Sequence, residues 1–449
     1  MTAPSREGVG AARPAPVTHG RVLRIALPIV LANATVPILG AVDTGVVGQM
    51  GEAAPIGAVG VGAIVLTSVY WIFGFLRMGT TGLAAQAAGA GDRAETGAIL
   101  WRGLILAGLA GLALIALQGP LVWAAFRLAP ASDAVEELAR QYLAIRIWGA
   151  PATIALYAVT GWLIATERAR GVLGLQLWIN GLNIALDLWF VLGLGWGVGG
   201  VAMATLIAEW TGLALGLWLC RDALALPAAR AWGRLTDRGP LARMLSVNTD
   251  IMIRSVLLQA SFTAFVFIGA GFGDVPLAAN QVLFQFLAIA AYALDGFAFA
   301  AEALVGQAVG ARARAAFRRA ASLASLWGLG AALALAAAFW LGGPWLIELM
   351  AKEPEVQAVA RALLPWVVAT VLLSLAAYML DGIFIGATET RAMRNAMLVS
   401  VAIYAAALPV LIALAGNDGL WAALIVLAVA RAVTLGLAWP RLERRVAAG

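Results

Sequence analysis

Of the 24 carboxylates in this 449-residue chain, several sit inside long apolar runs, and those residues define the chemistry open to it. Asp43 lies within LPIVLANATVPILGAVDTGVV at 27–47. A run of this length is a membrane-span candidate, and an ionisable group inside one costs at least ~2.5 kcal/mol unless the protein supplies a reason. Asp43 is therefore a candidate proton or cation site, the alternative being a carboxylate at the outer interface. Pro28 and Pro37 interrupt the same helix, each removing a backbone donor, and such breaks survive in lipid where neighbouring helices or a wet cavity satisfy the freed carbonyls. The expectation is a helix that bends at Pro28, with Asn33, Pro37, Gly40 and Asp43 or Thr44 within a quarter of its circumference.

Five further apolar runs carry polar residues. In the fifth, Gln176, Asn180, Asn183 and Asp187 follow spacings of four, three and four, which places amides and a carboxylate on one helix face. Interhelical hydrogen bonding alone would explain the amides but not Asp187. The sixth adds Thr205 and Glu209. Carboxylates converging in one bundle repel when ionised, which favours holding a proton. In the eighth, Gln281, Gln285, Tyr292, Asp295 and Glu302 line one face. The tenth puts Ser374, Tyr378 and Asp381 on a single face, and Asp381 is a second cation-site candidate beside a structural role. In the seventh, Asp250 and Arg254 are one turn apart, as a structural pair or a gate that neutralises itself.

Other chemistries have little to stand on. One histidine, His19, and one cysteine, Cys220, leave no Cys/His metal site and no intrachain disulfide. No HExxH, GxxxxGK[ST] or GxSxG string appears, and no nucleophile is paired with a base, so neither an enzyme nor a nucleotide-driven pump is indicated, and no catalytic residue or cofactor is expected. The net charge of +6 and pI of about 10.1 do not indicate nucleic acid, because the arginines are dispersed between apolar runs.

These residues have to be held by membrane helices. With 62% hydrophobic residues, 12% charged residues and a mean hydropathy of +0.90, the chain reads as an all-α polytopic membrane protein. Twelve apolar runs between 22 and 440 are each long enough, at ~1.5 Å per residue, to cross a ~30 Å hydrocarbon core. Arginines gather before the first run and in every second connection, which places both termini in the cytoplasm and Asp43 about 28 Å along its helix from Arg24, in the outer half. The chain also repeats: a shift of 221 residues lays Pro55 on Pro276, Gln86 on Gln307 and Gly89 on Gly310, and a second match sets Ala165, Thr166 and Glu167 against Ala387, Thr388 and Glu389. Two halves of six spans follow, related by an axis along the membrane normal. The expected organisation is a disordered cytoplasmic tail at 1–20, an amino-terminal lobe at 21–220, a cytoplasmic linker at 221–242 whose charges solvate it and meet anionic lipid, a carboxy-terminal lobe at 243–440 and a tail at 441–449.

Five strings carry a family resemblance: LPIVLANATVPILGAVDTGVVG at 27–48, GQMG at 48–51, NTDIMIR at 248–254, YALDGFAFAAEALVGQAVG at 292–310 and LDGIFIGATET at 380–390. Through these the chain resembles the multidrug and toxic compound extrusion (MATE) transporters, in their DinF-like branch, over essentially all its length after the tail. The resemblance implies two six-helix bundles around a V-shaped cleft and cation-coupled export of amphiphiles, often cationic, by alternating access. It also implies an amino-lobe network whose matching positions are Asp43, Asn183, Asp187 and Thr205, with Pro28 at the bend. The helix-7 glutamate of another branch's sodium site is absent here, where Asp250 and Arg254 stand.

The expected protein is a monomeric, multi-pass antiporter of a bacterial inner membrane, surrounded by lipid. Protons are the coupling ion, or sodium held by the same carboxylates with Asn183 and Thr205. Substrate-cleft candidates are Asn33, Asn180, Gln281, Gln285, Tyr292, Asp295, Glu302, Tyr378 and Asp381. The rival expectation is a flippase of lipid-linked precursors from the related superfamily. A pyrophosphate headgroup would call for several basic residues inside the cleft, where the spans offer mainly carboxylates plus Arg77, Arg146 and Arg254.

Overall fold

The apolar runs form helices because a chain in lipid must satisfy its backbone polar groups internally. The computed structural model describes residues 16–49, 53–128 and 132–448, with the side chains at 41, 43, 44, 53, 128 and 448 outside the description. Most of the expected tail thus lies outside the described residues, and α1 (His19–Gly48) starts with Thr18 as its cap, the hydroxyl accepting from the Arg21 amide.

The amino half continues through α2 (Ala53–Ile72), α3 (Phe75–Gly89), α4 (Arg93–Ala116), α5 (Gln118–Leu128), α6 (Asp133–Arg146), α7 (Ala150–Ala165), α8 (Ala169–Asp187) and α9 (Gly197–Leu219). The carboxy half comprises α12 (Arg238–Ala270), α13 (Asp274–Gly310), α14 (Arg314–Met350), α15 (Pro354–Gly386) and α16 (Thr390–Ala448), after the single-turn helices α10 (Arg221–Leu224) and α11 (Trp232–Leu235). Eleven helical stretches among the described residues are long and apolar enough to span a membrane. The last turns at Gly416, whose φ of 55° and ψ of −125° only glycine adopts without strain, and forms two crossings. The result is twelve crossings in two six-helix bundles.

Three expectations change. The second span is α2 and α3, separated at residues 73 and 74, and the fourth is α6 and α7, joined by the 3-10 turn Ile147–Gly149. The linker is shorter, since α12 starts at Arg238, and it is docked: Arg102 of α4 donates to the Arg234 carbonyl at 2.6 Å and pairs with Glu95 at 2.6 Å, and Glu95 also takes Arg234 at 3.2 Å. Arg234 is thus held against α4. The repeat also keeps one register throughout. Left-handed residues fall at Glu167 (φ 59°) and Thr388 (φ 54°), 221 positions apart, where the amides of Arg168 and Glu389 close matching turns on Leu163 and Phe384 at 2.8 and 3.0 Å. The match of Glu167 to Glu389 by identity is therefore one residue out.

The halves meet where α3 and α1 pack on α13, with α3 also against α12 and α15. Small residues make this possible. A Cβ on Gly82 would lie 2.3 Å from the Ile385 carbonyl, and one on Gly296 would lie 2.4 Å from Val30.

Candidate functional site

In the amino half, α1 supplies a line of polar residues that its neighbours hold at both sides. Asn33 donates to the Tyr292 carbonyl of α13 at 3.0 Å, and Thr35 accepts from Asn180 of α8 at 2.7 Å. The Thr35 hydroxyl in turn donates back to Ala32 at 2.7 Å. The structure carries α1 as one helix through Pro28 and Pro37, so Pro28 is an interior proline and not a helix break. The Asp43 backbone belongs to α1, and its side chain lies outside the described residues.

The α8 stripe assembles as its spacing requires. Gln176 donates to Asn180 at 3.0 Å, Asn183 donates to the Thr205 hydroxyl of α9 at 2.9 Å, and Thr205 donates to the Val201 carbonyl at 3.0 Å. Asn183 and Asp187 are 1% and 0% exposed. Directly after Asp187 the helix widens into a π-type stretch, Leu188–Gly193, a local irregularity that often accompanies function. A buried carboxylate beside amide and hydroxyl groups can take a proton, or can join oxygen ligands around a small cation.

Glu209 does not join this cluster. It accepts two bonds from Arg146 at 2.7 and 2.9 Å, and both residues are buried. Space for the pair comes from Gly149, where a Cβ would lie 2.5 Å from the Glu209 carboxylate. The convergence of repelling carboxylates expected from sequence is thereby removed, because one of them is neutralised within its own half.

The carboxy half shows the same economy of charge. Asp250 and Arg254 were expected to neutralise each other, yet Asp250 takes Arg394 at 2.6 Å and the Thr390 hydroxyl at 3.0 Å, both from α16. Arg254 turns instead to Asp381 of α15, which also binds Arg431 of α16. A carboxylate held between two guanidiniums is not available to a cation, so Asp381 is not a second cation site in this conformation. Glu302 is also occupied, by Arg77 of α3 at 3.0 and 3.4 Å, across the boundary between the halves. Asp295 differs. It is half-buried, and among the described residues it has neither a hydrogen bond nor an ion pair, although it faces Arg77, Glu302, Arg254 and Asp381 electrostatically.

Of the remaining cleft candidates, Gln281 and Gln285 are exposed and Tyr292 is half-buried. Tyr378 and Ser374 line a cavity of about 170 Å³ inside the carboxy half, with Phe284, Leu294 and Arg431. Sequence reading missed Arg431, although a lone arginine in the apolar run LIVLAVARAVTLG at 424–436 was a legible signal of an intramembrane charge.

Twelve crossings in two related halves, with buried polar clusters at membrane depth, are the architecture of a multi-pass membrane transporter. Comparison with known proteins agrees. The MatE family model matches residues 28–189 and 251–411, once in each half, and the chain belongs to that family. It is 40% identical to the DNA damage-inducible protein F of Escherichia coli (strain K12) over 93% of this chain and 91% of that one. It is 29% identical to the "Probable multidrug resistance protein NorM" of Bradyrhizobium diazoefficiens, covering 71% and 70% of the two chains. Among solved structures, a multidrug resistance MATE family transporter of the MOP superfamily in an outward-facing conformation superposes with a TM-score of 0.86 at 19% identity, covering 99% of each chain. A MOP superfamily transporter from Pyrococcus furiosus Vc1 does so with a TM-score of 0.86 at 18% identity, again over 99% of each. The protein is thus a transporter of the MATE family.

Proposed function

We propose that this transporter exports amphiphilic, often cationic compounds in exchange for protons by alternating access. The reading rests chiefly on Asp187, a fully buried carboxylate among Asn183, Asn180 and Thr205 on the face that α8 turns toward α1, the helix that carries Asp43. An ion in such a place is costly, and a proton removes the cost. In the outward-open state, Asp43 with Asp187 takes up a proton, the hydrogen bonds joining α8, α9 and α1 rearrange, α1 bends at Pro28, and substrate leaves. Return to the inward state delivers the proton to the cytoplasm.

Asp295 is the carboxylate available to a cationic substrate, since Glu302 and Asp381 are held by arginines. The flippase reading is not favoured, because Arg77, Arg146 and Arg254 each sit on a carboxylate. The arginines before and at the start of α1 and in the last turns of α16 support both termini being cytoplasmic, in a bacterial inner membrane.

The test is ethidium efflux from proteoliposomes, wild type beside Asp43→Asn, driven separately by an inward proton gradient and an inward sodium gradient. Efflux driven by protons and abolished in the variant is expected. Efflux driven only by sodium overturns the coupling ion, and a fully active variant overturns the role of Asp43.

A further inference from the structure

At the end of the bundle that carries the termini, cytoplasmic on the reading above, the halves hold each other by two copies of one device. Gln86 of α3 and Gln307 of α13 are 221 residues apart and equivalent in the repeat. Each side chain crosses into the opposite half. Gln307 donates to the Ala165 carbonyl at 2.9 Å and accepts from Arg21 at 2.7 Å. Gln86 donates to the Gly386 carbonyl at 3.0 Å and to the Thr388 hydroxyl at 3.0 Å, and accepts from Arg243 at 2.7 Å. Ala165 and Gly386 are themselves 221 apart, so the two glutamines enter equivalent turns.

Each arginine is also tied to the left-handed residue of its own turn. Arg21 pairs with Glu167 at 2.5 Å, and Arg243 donates to the Thr388 hydroxyl at 3.1 Å. Arginine, turn carbonyl and left-handed residue together form a socket belonging to one half, and the glutamine is the guest from the other. Glycines bring guest and socket into reach. A Cβ on Gly89 would lie 2.0 Å from the Gln307 carbonyl, and one on Gly310 would lie 1.9 Å from the Gln86 carbonyl, so each helix passes the other at backbone contact. The reciprocity follows from the two-fold relation between the halves. Two hands of one lock, placed where two rigid bundles must part, fit a gate.

We propose that Gln86 and Gln307, seated in the sockets of the opposite halves, are the gate residues that keep the cytoplasmic end closed, and that both must leave their sockets for that end to admit substrate. The proposal rests on the alternating-access reading. The two arms differ in one respect: the amino-half socket contains an ion pair, whereas Thr388 gives Arg243 no counter-charge. Arg21 is therefore held in place when Gln307 leaves, and Arg243 is free to follow Gln86.

The experiment measures the cytoplasmic opening directly. Arg170 and Arg391, exposed and equivalent in the repeat, are replaced by cysteine in a Cys220→Ala background and spin-labelled, and their distance distribution is recorded by pulsed electron resonance in nanodiscs. Gln86→Ala and Gln307→Ala each lose hydrogen bonds to charged and neutral partners, so each is expected to raise the long-distance population about tenfold, and the double variant to raise it further. Should an alanine variant not fold, Gln→Asn, which is one methylene short of the socket, serves in its place. An unchanged distribution with a lowered unfolding temperature would show that the glutamines only support the fold and would overturn the gate. A shifted distribution in a protein whose wild type moves no ethidium under either gradient leaves the gate standing and refutes the transport reading.

Discussion

Replacing Glu302 tests whether charge pairing between the halves stabilises the observed conformation. The carboxylate and Arg77 are nearly enclosed, with side chains 2% and 10% exposed, and they meet at 3.0 and 3.4 Å. Stranding one partner of a buried pair costs about 3–5 kcal/mol. The second contact is long, and the Arg77 guanidinium lies 3.8 Å above the Phe299 ring, which continues to favour the cation after the change. Glu302→Leu should therefore fall at the low end, about 3 kcal/mol. Glu302→Gln keeps a carbonyl acceptor for Arg77, and because a hydrogen bond to a charged group contributes about 1.5–3 kcal/mol, its loss should be about half as large. The assay is reversible unfolding in mixed micelles titrated with dodecyl sulfate, followed by tryptophan fluorescence, with Arg77→Met and the double variant completing the cycle. The double variant should be more stable than Glu302→Leu alone. If the single losses simply add, or if Gln and Leu cost the same, the pair acts through packing and the electrostatic reasoning fails.

Two other outcomes follow from the charge arrangement. Asp381→Leu strands both Arg254 and Arg431, whereas Arg431→Met leaves the Arg254–Asp381 pair intact, so the first should lose about 3–5 kcal/mol and the second clearly less in the same titration. Equal losses would mean that Asp381 does not organise the cluster. Outside the membrane, the hydrogen bond from Arg168 at 2.5 Å holds the Asp222 carboxyl below its ordinary value. A depressed carboxylate stabilises the fold above the unfolded value, near ~3.9, and that contribution is lost as pH falls through the folded value. Arg168→Gln should return Asp222 upward, as read by carboxyl carbon resonance against pH, and an unmoved resonance would show that the pairing does not persist in solution.

Span number, helical class, the two halves and the family were legible in the sequence, because crossing a membrane is a local property of length and hydropathy and the repeat is written in residue identities. The α8 stripe was legible for a similar reason: spacings of three and four place Asn180, Asn183 and Asp187 on one face whatever surrounds them. Partners were not. Asp250 stands one turn from Arg254, yet each binds a residue from a helix more than a hundred positions away, because a buried charge goes to whichever opposite charge the packing brings to it and several carried arginines. The lone Arg431 and the neutralised Glu209 belong to the same lesson. The register of the matching turns was also a tertiary decision. Identity aligned Glu167 with Glu389, but the carbonyl pattern at the helix ends made Thr388 the left-handed counterpart of Glu167. That one-residue difference places Gln86 and Gln307 in equivalent sockets, a relation visible only once both halves stand against each other.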